Sequence, residues 1–247
     1  MDLGLEDRVY VVTGGTKGLG RATAESLVAD GARVVVSSRS QESVDAAVSA
    51  LGDNARGVAA DNADPQTAER LVQTAIDGWG RLDGALISVG GPPGTPALGA
   101  TDEQWRTAFE SVFLGAIRIA RAVVPHLDEG GVVGLVLSTS VKSPLSGLEM
   151  SNGLRPGLAM WTKQLADDIG PHGLRAFALM PGRLTTDRTL ALTPDSKDRD
   201  AIAQTIPLRR YGQPAEFGRV AAFLLSPAAS YLTGLVVPID GGALRAL

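Results

Sequence analysis

The chain has 247 residues, 44% of them hydrophobic, and 23 Lys and Arg against 27 Asp and Glu give a net charge of −4. That length suffices for one large α/β unit with a full core, and the scattered basic residues argue against nucleic acid or an acidic membrane as partner. The absence of cysteine excludes disulfides, thiolate catalysis and zinc–cysteine sites; no apolar run approaches a membrane span, and Met1–Asp7 is acidic rather than signal-like, so the expected location is the cytoplasm.

Val9–Thr13 is short, apolar and β-branched, which predicts a strand buried on both faces. A glycine-rich turn follows, and from Arg21 to Asp30 the stripe Ala22, Ala24, Leu27 and Val28 predicts a helix. Strand, glycine turn and helix together suit a dinucleotide diphosphate. Gly14, Gly18 and Gly20 let the backbone approach the anion, and the helix start offers free N–H groups and a positive dipole end. The spacing Gly-x-x-x-Gly-x-Gly is not a P-loop, because no Gly-Lys-Ser/Thr follows. An ordinary glycine turn is the alternative reading.

The second strand, Arg33–Ser38, ends in Ser37-Ser38-Arg39 instead of the acid that would hold the ribose 2′-hydroxyl of NAD. Arg39, helped by Lys17, suits a 2′-phosphate, which favours NADP(H) and leaves NAD(H) as the alternative; a solvated surface arginine is the plainer reading. Further strands are expected at Ala55–Ala60, Gly84–Val89, Val132–Ser138, Arg175–Leu179 and Leu235–Ile239. Helices are expected at Ser43–Ala50, Pro65–Asp77, Thr101–His126, Asn152–Ile169 and Pro214–Leu225, with Pro65 and Pro214 in first turns. This alternation predicts an α/β fold over 1–247: a single doubly wound parallel sheet of the Rossmann type, about seven strands, with helices on both faces. Gly182–Thr193 is the longest irregular stretch and suits a mobile substrate loop. Asp167, Asp168, Asp195 and Asp198 lack spaced histidines, so no metal site is expected.

With these motifs in place the chain resembles the short-chain dehydrogenase/reductase family, close to its 3-oxoacyl-carrier-protein reductase type. Thr13-Gly14-x-x-x-Gly18-x-Gly20, Asp61 after the third strand, Met180-Pro181-Gly182-x-x-x-Thr186, Ile206–Pro214, Thr233-Gly234 and Asp240-Gly241-Gly242 match that family's pattern along nearly the whole chain. The resemblance implies a cofactor site made of Thr13, Gly14, Thr16, Lys17, Gly18, Leu19, Gly20, Ser38, Arg39, Asp61, Asn62, Ser88, Gly90, Arg155, Pro181, Gly182 and Thr186. It also implies a homodimer or homotetramer paired through the helices Thr101–His126 and Asn152–Ile169. The chain departs from the pattern at four places. Ile87-Ser88-Val89-Gly90 replaces Asn-Asn-Ala-Gly, Val112 stands at the helix asparagine, and Ser151 and Arg155 stand at the Tyr-x-x-x-Lys pair.

The family's tyrosine donates a proton to the carbonyl oxygen as hydride arrives. Ser151 is a far weaker acid than a phenol of pKa about 10, and an arginine of pKa above about 12 relays no proton. The candidate catalytic residues are Ser140, Ser151 and Arg155, with Ser138 as the alternative to Ser140. Lys142 and Glu149 are candidate substitute acids, each with a solvated or structural role as its plainer reading. Three functions stay open: an NADP(H)-dependent oxidoreductase on a small carbonyl or alcohol with a degenerate tetrad, a catalytically inactive cofactor-binding or scaffold protein, and a non-redox enzyme reusing the cleft.

Overall fold

Seven parallel strands form one sheet in the order β3-β2-β1-β4-β5-β6-β7. They are β1 Val9–Thr13, β2 Arg33–Ser38, β3 Ala55–Ala59, β4 Leu82–Ser88, β5 Leu127–Val136, β6 Arg175–Pro181 and β7 Leu235–Ile239. The computed structural model describes residues 2–88 and 90–246, so Val89 of the fourth expected strand lies outside the described residues. The valine-rich runs are central strands, buried on both faces as parallel sheets require. Tyr10 of β1 is fully buried, and its hydroxyl donates to the Leu225 carbonyl at 3.2 Å. Burial holds its phenol well above the ordinary value.

Helices α1 Gly18–Ala29, α2 Gln41–Leu51 and α9 Pro214–Leu225 cover one face, over a core of Leu27, Val34, Phe177 and Phe217. Helices α3 Thr67–Trp79, α5 Gly115–Val123 and α6 Glu149–Ile169 cover the other, over Leu71, Ile87, Ile119 and Leu158. The result is the expected single-domain, doubly wound α/β fold. Among the described residues no helix is long and apolar enough to cross a membrane.

Four local expectations need correction. Helix α1 begins at Gly18, so Gly18 and Gly20 already lie in its first turn. Pro65 lies before α3, in a turn where Asp64 accepts from the Gln66 N–H. The expected helix Thr101–His126 runs without interruption but is not α throughout. A capping box on Thr101 opens α4 Asp102–Ala108, a π-helical turn spans Phe109–Leu114, and a 3₁₀ turn Val124–His126 follows α5. Past the π turn, Gly115 packs directly on the Asn62 carbonyl, where a Cβ would collide. The irregular stretch Gly182–Thr193 holds a short helix, α7 Asp187–Leu192, whose cap Thr186 accepts from the Thr189 N–H. Helix α8 Ser196–Thr205 follows with no buried residue, so it shows no apolar stripe in the sequence.

Candidate active site

The carboxyl ends of the strands open onto a cleft of about 1120 Å³ at the point where the chain order turns from β1 to β4. Gly14, Lys17, Gly18, Leu19, Gly20, Arg39, Ser88, Gly90, Pro181, Gly182 and Thr186 line it, together with Ser138, Ser151 and Arg155. Gly14 and Gly18 have φ of +60° and +55°, a region that favours glycine, and a Cβ on Gly20 would strike the Gly14 carbonyl. The first turn of α1 has neither a capping side chain nor an acid. A diphosphate needs this chemistry: unclaimed N–H donors, a positive dipole end and no side chain in the way.

Other expected residues support this edge from behind. Thr13 is buried and ties β1 to β4, its Oγ1 donating to the Ser88 carbonyl at 3.0 Å and accepting from the Ser88 N–H at 2.9 Å. Thr16 lies in a neighbouring hollow beside Lys17 and Arg21. The Ser38 hydroxyl donates to the Ser40 carbonyl, and the Asp61 carboxylate accepts from the Ala63 N–H. Asp61 and Asn62 do not line the cleft. Lys17 and Arg39 are exposed at its β1–β2 end, and neither has a carboxylate partner among the described residues.

The serines take different positions. Ser138 lines the cleft, and its Oγ accepts from the Ser140 N–H at 3.1 Å, capping the 3₁₀ turn Thr139–Val141. Ser140 is 4% exposed, and its Oγ lies 3.4 Å from the Ser151 Oγ. Arg155, one turn along α6, donates from Nε to Ser151 Oγ at 3.1 Å and from Nη1 to the carbonyls of Val136 and Leu137. Its Nη2 reaches the Gly90 carbonyl at 3.4 Å. No carboxylate compensates it among the described residues. Burial, and then the charge of Arg188, bring its pKa down to about 10, below the value expected from sequence, yet it stays charged at neutral pH.

Arg188 lies within the expected substrate loop Gly182–Thr193, where no sequence signal singles it out. From α7 it donates to the carbonyls of Gly91 and Pro92, and its guanidinium occupies the space a side chain on Gly91 would need. Val112 is buried in the π turn. Lys142 lines the cleft. Glu149 does not: it is 9% exposed, Oε1 accepts from the Thr95 hydroxyl, and Oε2 is buried without a partner among the described residues. The tail Ala243–Ala246 runs along the cleft wall, anchored by Leu244 N–H on the Asp240 carboxylate.

Residues 14–243 match the family model described as enoyl-(acyl carrier protein) reductase. The chain is 36% identical to dehydrogenase/reductase SDR family member 4 of Oryctolagus cuniculus, over 97% of this chain and 94% of that protein. It is 28% identical to a 3-oxoacyl-[acyl-carrier-protein] reductase of Vibrio cholerae, over 97% and 98% of the two chains. L-Sorbose reductase of Gluconobacter frateurii, solved with NADPH and L-sorbose, superposes with a TM-score of 0.94 at 27% identity and full coverage of both chains.

Proposed function

The chain belongs to the short-chain dehydrogenase/reductase family, and on that premise we propose that it is an NADP(H)-dependent oxidoreductase of a small carbonyl or alcohol whose catalytic tetrad is degenerate. The observation that carries this reading is the open start of α1, flanked by Lys17 and Arg39 without acids to neutralise them. Those two cations suit a 2′-phosphate, and Gly14 to Gly20 suit the diphosphate. The bound nicotinamide supplies hydride chemistry.

On this reading the residues of the chain do the rest. Ser151 Oγ accepts from Arg155, so its own proton is free for Ser140 or a substrate oxygen. Arg155 stays charged and stabilises a developing alkoxide through that serine. With no phenol in place, the factor of about 10²–10⁴ from acid catalysis is largely lost, and turnover is slow. Buried Val112, with no polar atom to hold a water, favours one second reading, a cofactor-binding protein without turnover. The domain spans 1–247 and acts in the cytoplasm. Exposed Phe109 and Met160, on the two helices through which the resemblance implies pairing, support a homodimer or homotetramer.

Titration with NADPH and NADH, followed by nicotinamide fluorescence, is the test. NADPH is expected to bind more tightly, and Ser151→Tyr with Arg155→Lys to raise NADPH consumption across a carbonyl panel. Binding of neither nucleotide would overturn the reading; binding without consumption in either protein would select the second one.

A further inference from the structure

The cations along the cleft divide by strand order. Lys17 and Arg39 stand beyond β1 and β2, where the dinucleotide phosphates are placed above. Arg155 packs against the end of β5, Arg183 and Arg188 follow β6, and Arg245 follows β7. None of these four has a carboxylate partner, and Asp187 is the only acid lining the cleft, among the described residues. A chain of net charge −4 has therefore gathered unneutralised positive charge at the end of the cleft away from the phosphate turn.

Two of these groups are close together. Arg155 and Arg188 lean on the carbonyls of consecutive residues, Gly90 and Gly91. Burial disfavours the charge on both, and at Arg155 the neighbouring charge of Arg188 adds to the penalty. Neutral carbonyls satisfy their N–H groups without removing the charge; an anion would do both.

Resting on the oxidoreductase reading, the geometry points to a substrate that carries one carboxylate beside its reducible carbonyl, an oxo acid, held by Arg188 with Arg155 supplying charge from behind. The donor count limits the ligand to a small anion. Of the five N–H groups of Arg155, four are directed at Ser151, Val136, Leu137 and Gly90, so it contributes field more than chelation. Arg188 spends one N–H of each Nη on the carbonyls of Gly91 and Pro92, and exchanging these for a carboxylate replaces neutral hydrogen bonds by charge-assisted ones.

The test compares pyruvate with methyl pyruvate, and acetoacetate with its methyl ester, as substrates of the NADPH-loaded protein. In parallel, the thermal protection given by oxamate, oxamide and inorganic phosphate is measured with and without NADPH. The acids are expected to exceed their esters in kcat/KM by about tenfold or more, and oxamate to protect where oxamide does not. Arg188→Gln should collapse the acid preference and Arg188→Lys restore part of it. Equal kcat/KM for acids and esters, absence of oxamate protection, or protection by phosphate alone would overturn the proposal. Where neither acid nor ester turns over, oxamate protection lost in Arg188→Gln still supports the anion site. An NADPH titration without carboxylate reports separately on the oxidoreductase reading.

Discussion

The two edges of the sheet handle charge in opposite ways. At the amino-terminal edge, buried Asp83 accepts from Arg8 at 2.9 Å, from Arg81 at 2.6 and 2.9 Å, and from the Val9 N–H at 2.8 Å, while Arg33 pairs with Asp7. At the carboxyl edge, Arg155 and Arg188 find only backbone carbonyls and, for Arg155, the Ser151 hydroxyl. Arg175, at the start of β6, sharpens the contrast. It is as buried as Arg155 and also rests on backbone carbonyls, those of Leu224, Ser226 and Leu232. Carbonyl capping alone is thus a way to keep a guanidinium inside a fold. What separates Arg155 is the open cleft in front of it. The lower edge pairs its buried charge with an acid; the upper edge holds two guanidiniums without an acid partner among the described residues.

Substitutions at each edge test that division, beginning with the largest effect. Asp83→Ala leaves two arginines and a buried N–H without their acceptor, and is expected to cost about 2–4 kcal/mol in denaturant unfolding while the NADPH Kd stays unchanged. A matching loss of NADPH affinity would erase the distinction between the edges. Arg39→Ser reverses the pattern: NADPH affinity should fall about tenfold by fluorescence titration, NADH affinity should hold, and stability should move by less than about 0.5 kcal/mol. An equal fall for both nucleotides would remove the 2′-phosphate from the argument.

The smallest effect concerns an exposed ion pair at the upper edge, Arg210 with Glu216, beside the Gly212 segment that meets Leu184. The guanidinium, then the Gln213 N–H, hold the Glu216 pKa at about 2 against an ordinary 4.5. The folded state therefore favours the carboxylate. The stabilisation is present above pH 4.5 and is lost as pH falls towards 2. Because the pair is solvent-exposed, the Tm gap between the native protein and Glu216→Gln should be small at pH 7 and close in acid. A gap independent of pH would assign it to the helix cap alone.

Legibility followed sequence distance. β1, β2 and β7 could be read residue for residue from their dense apolar runs, which burial imposes on β1 and β2. The starts of β4 and β5 were less legible: Asp83 and the polar run Asp128–Gly131 interrupt the pattern, and the register shifts between Leu82 and Gly84. The π turn inserts one residue into an unbroken helical composition, so nothing local marks it. In the cleft, the glycine turn lies within seven residues of chain and was plain from its spacing. Arg155 was found only through the family pattern. Arg188 fell inside the expected substrate loop but could not be singled out, since the carbonyl it grips on Gly91 is 97 residues away and a backbone acceptor carries no residue signature.

Gly91 and Arg188 act as the two halves of one clasp. A methyl group at position 91 would meet no strand or helix, only the far end of a long side chain that can swing aside. The fold would survive such a change, but the two loops at the mouth of the cleft would part and move independently. A side chain at 91 would therefore trade the clasp between these loops for their freedom, with the sheet beneath unchanged.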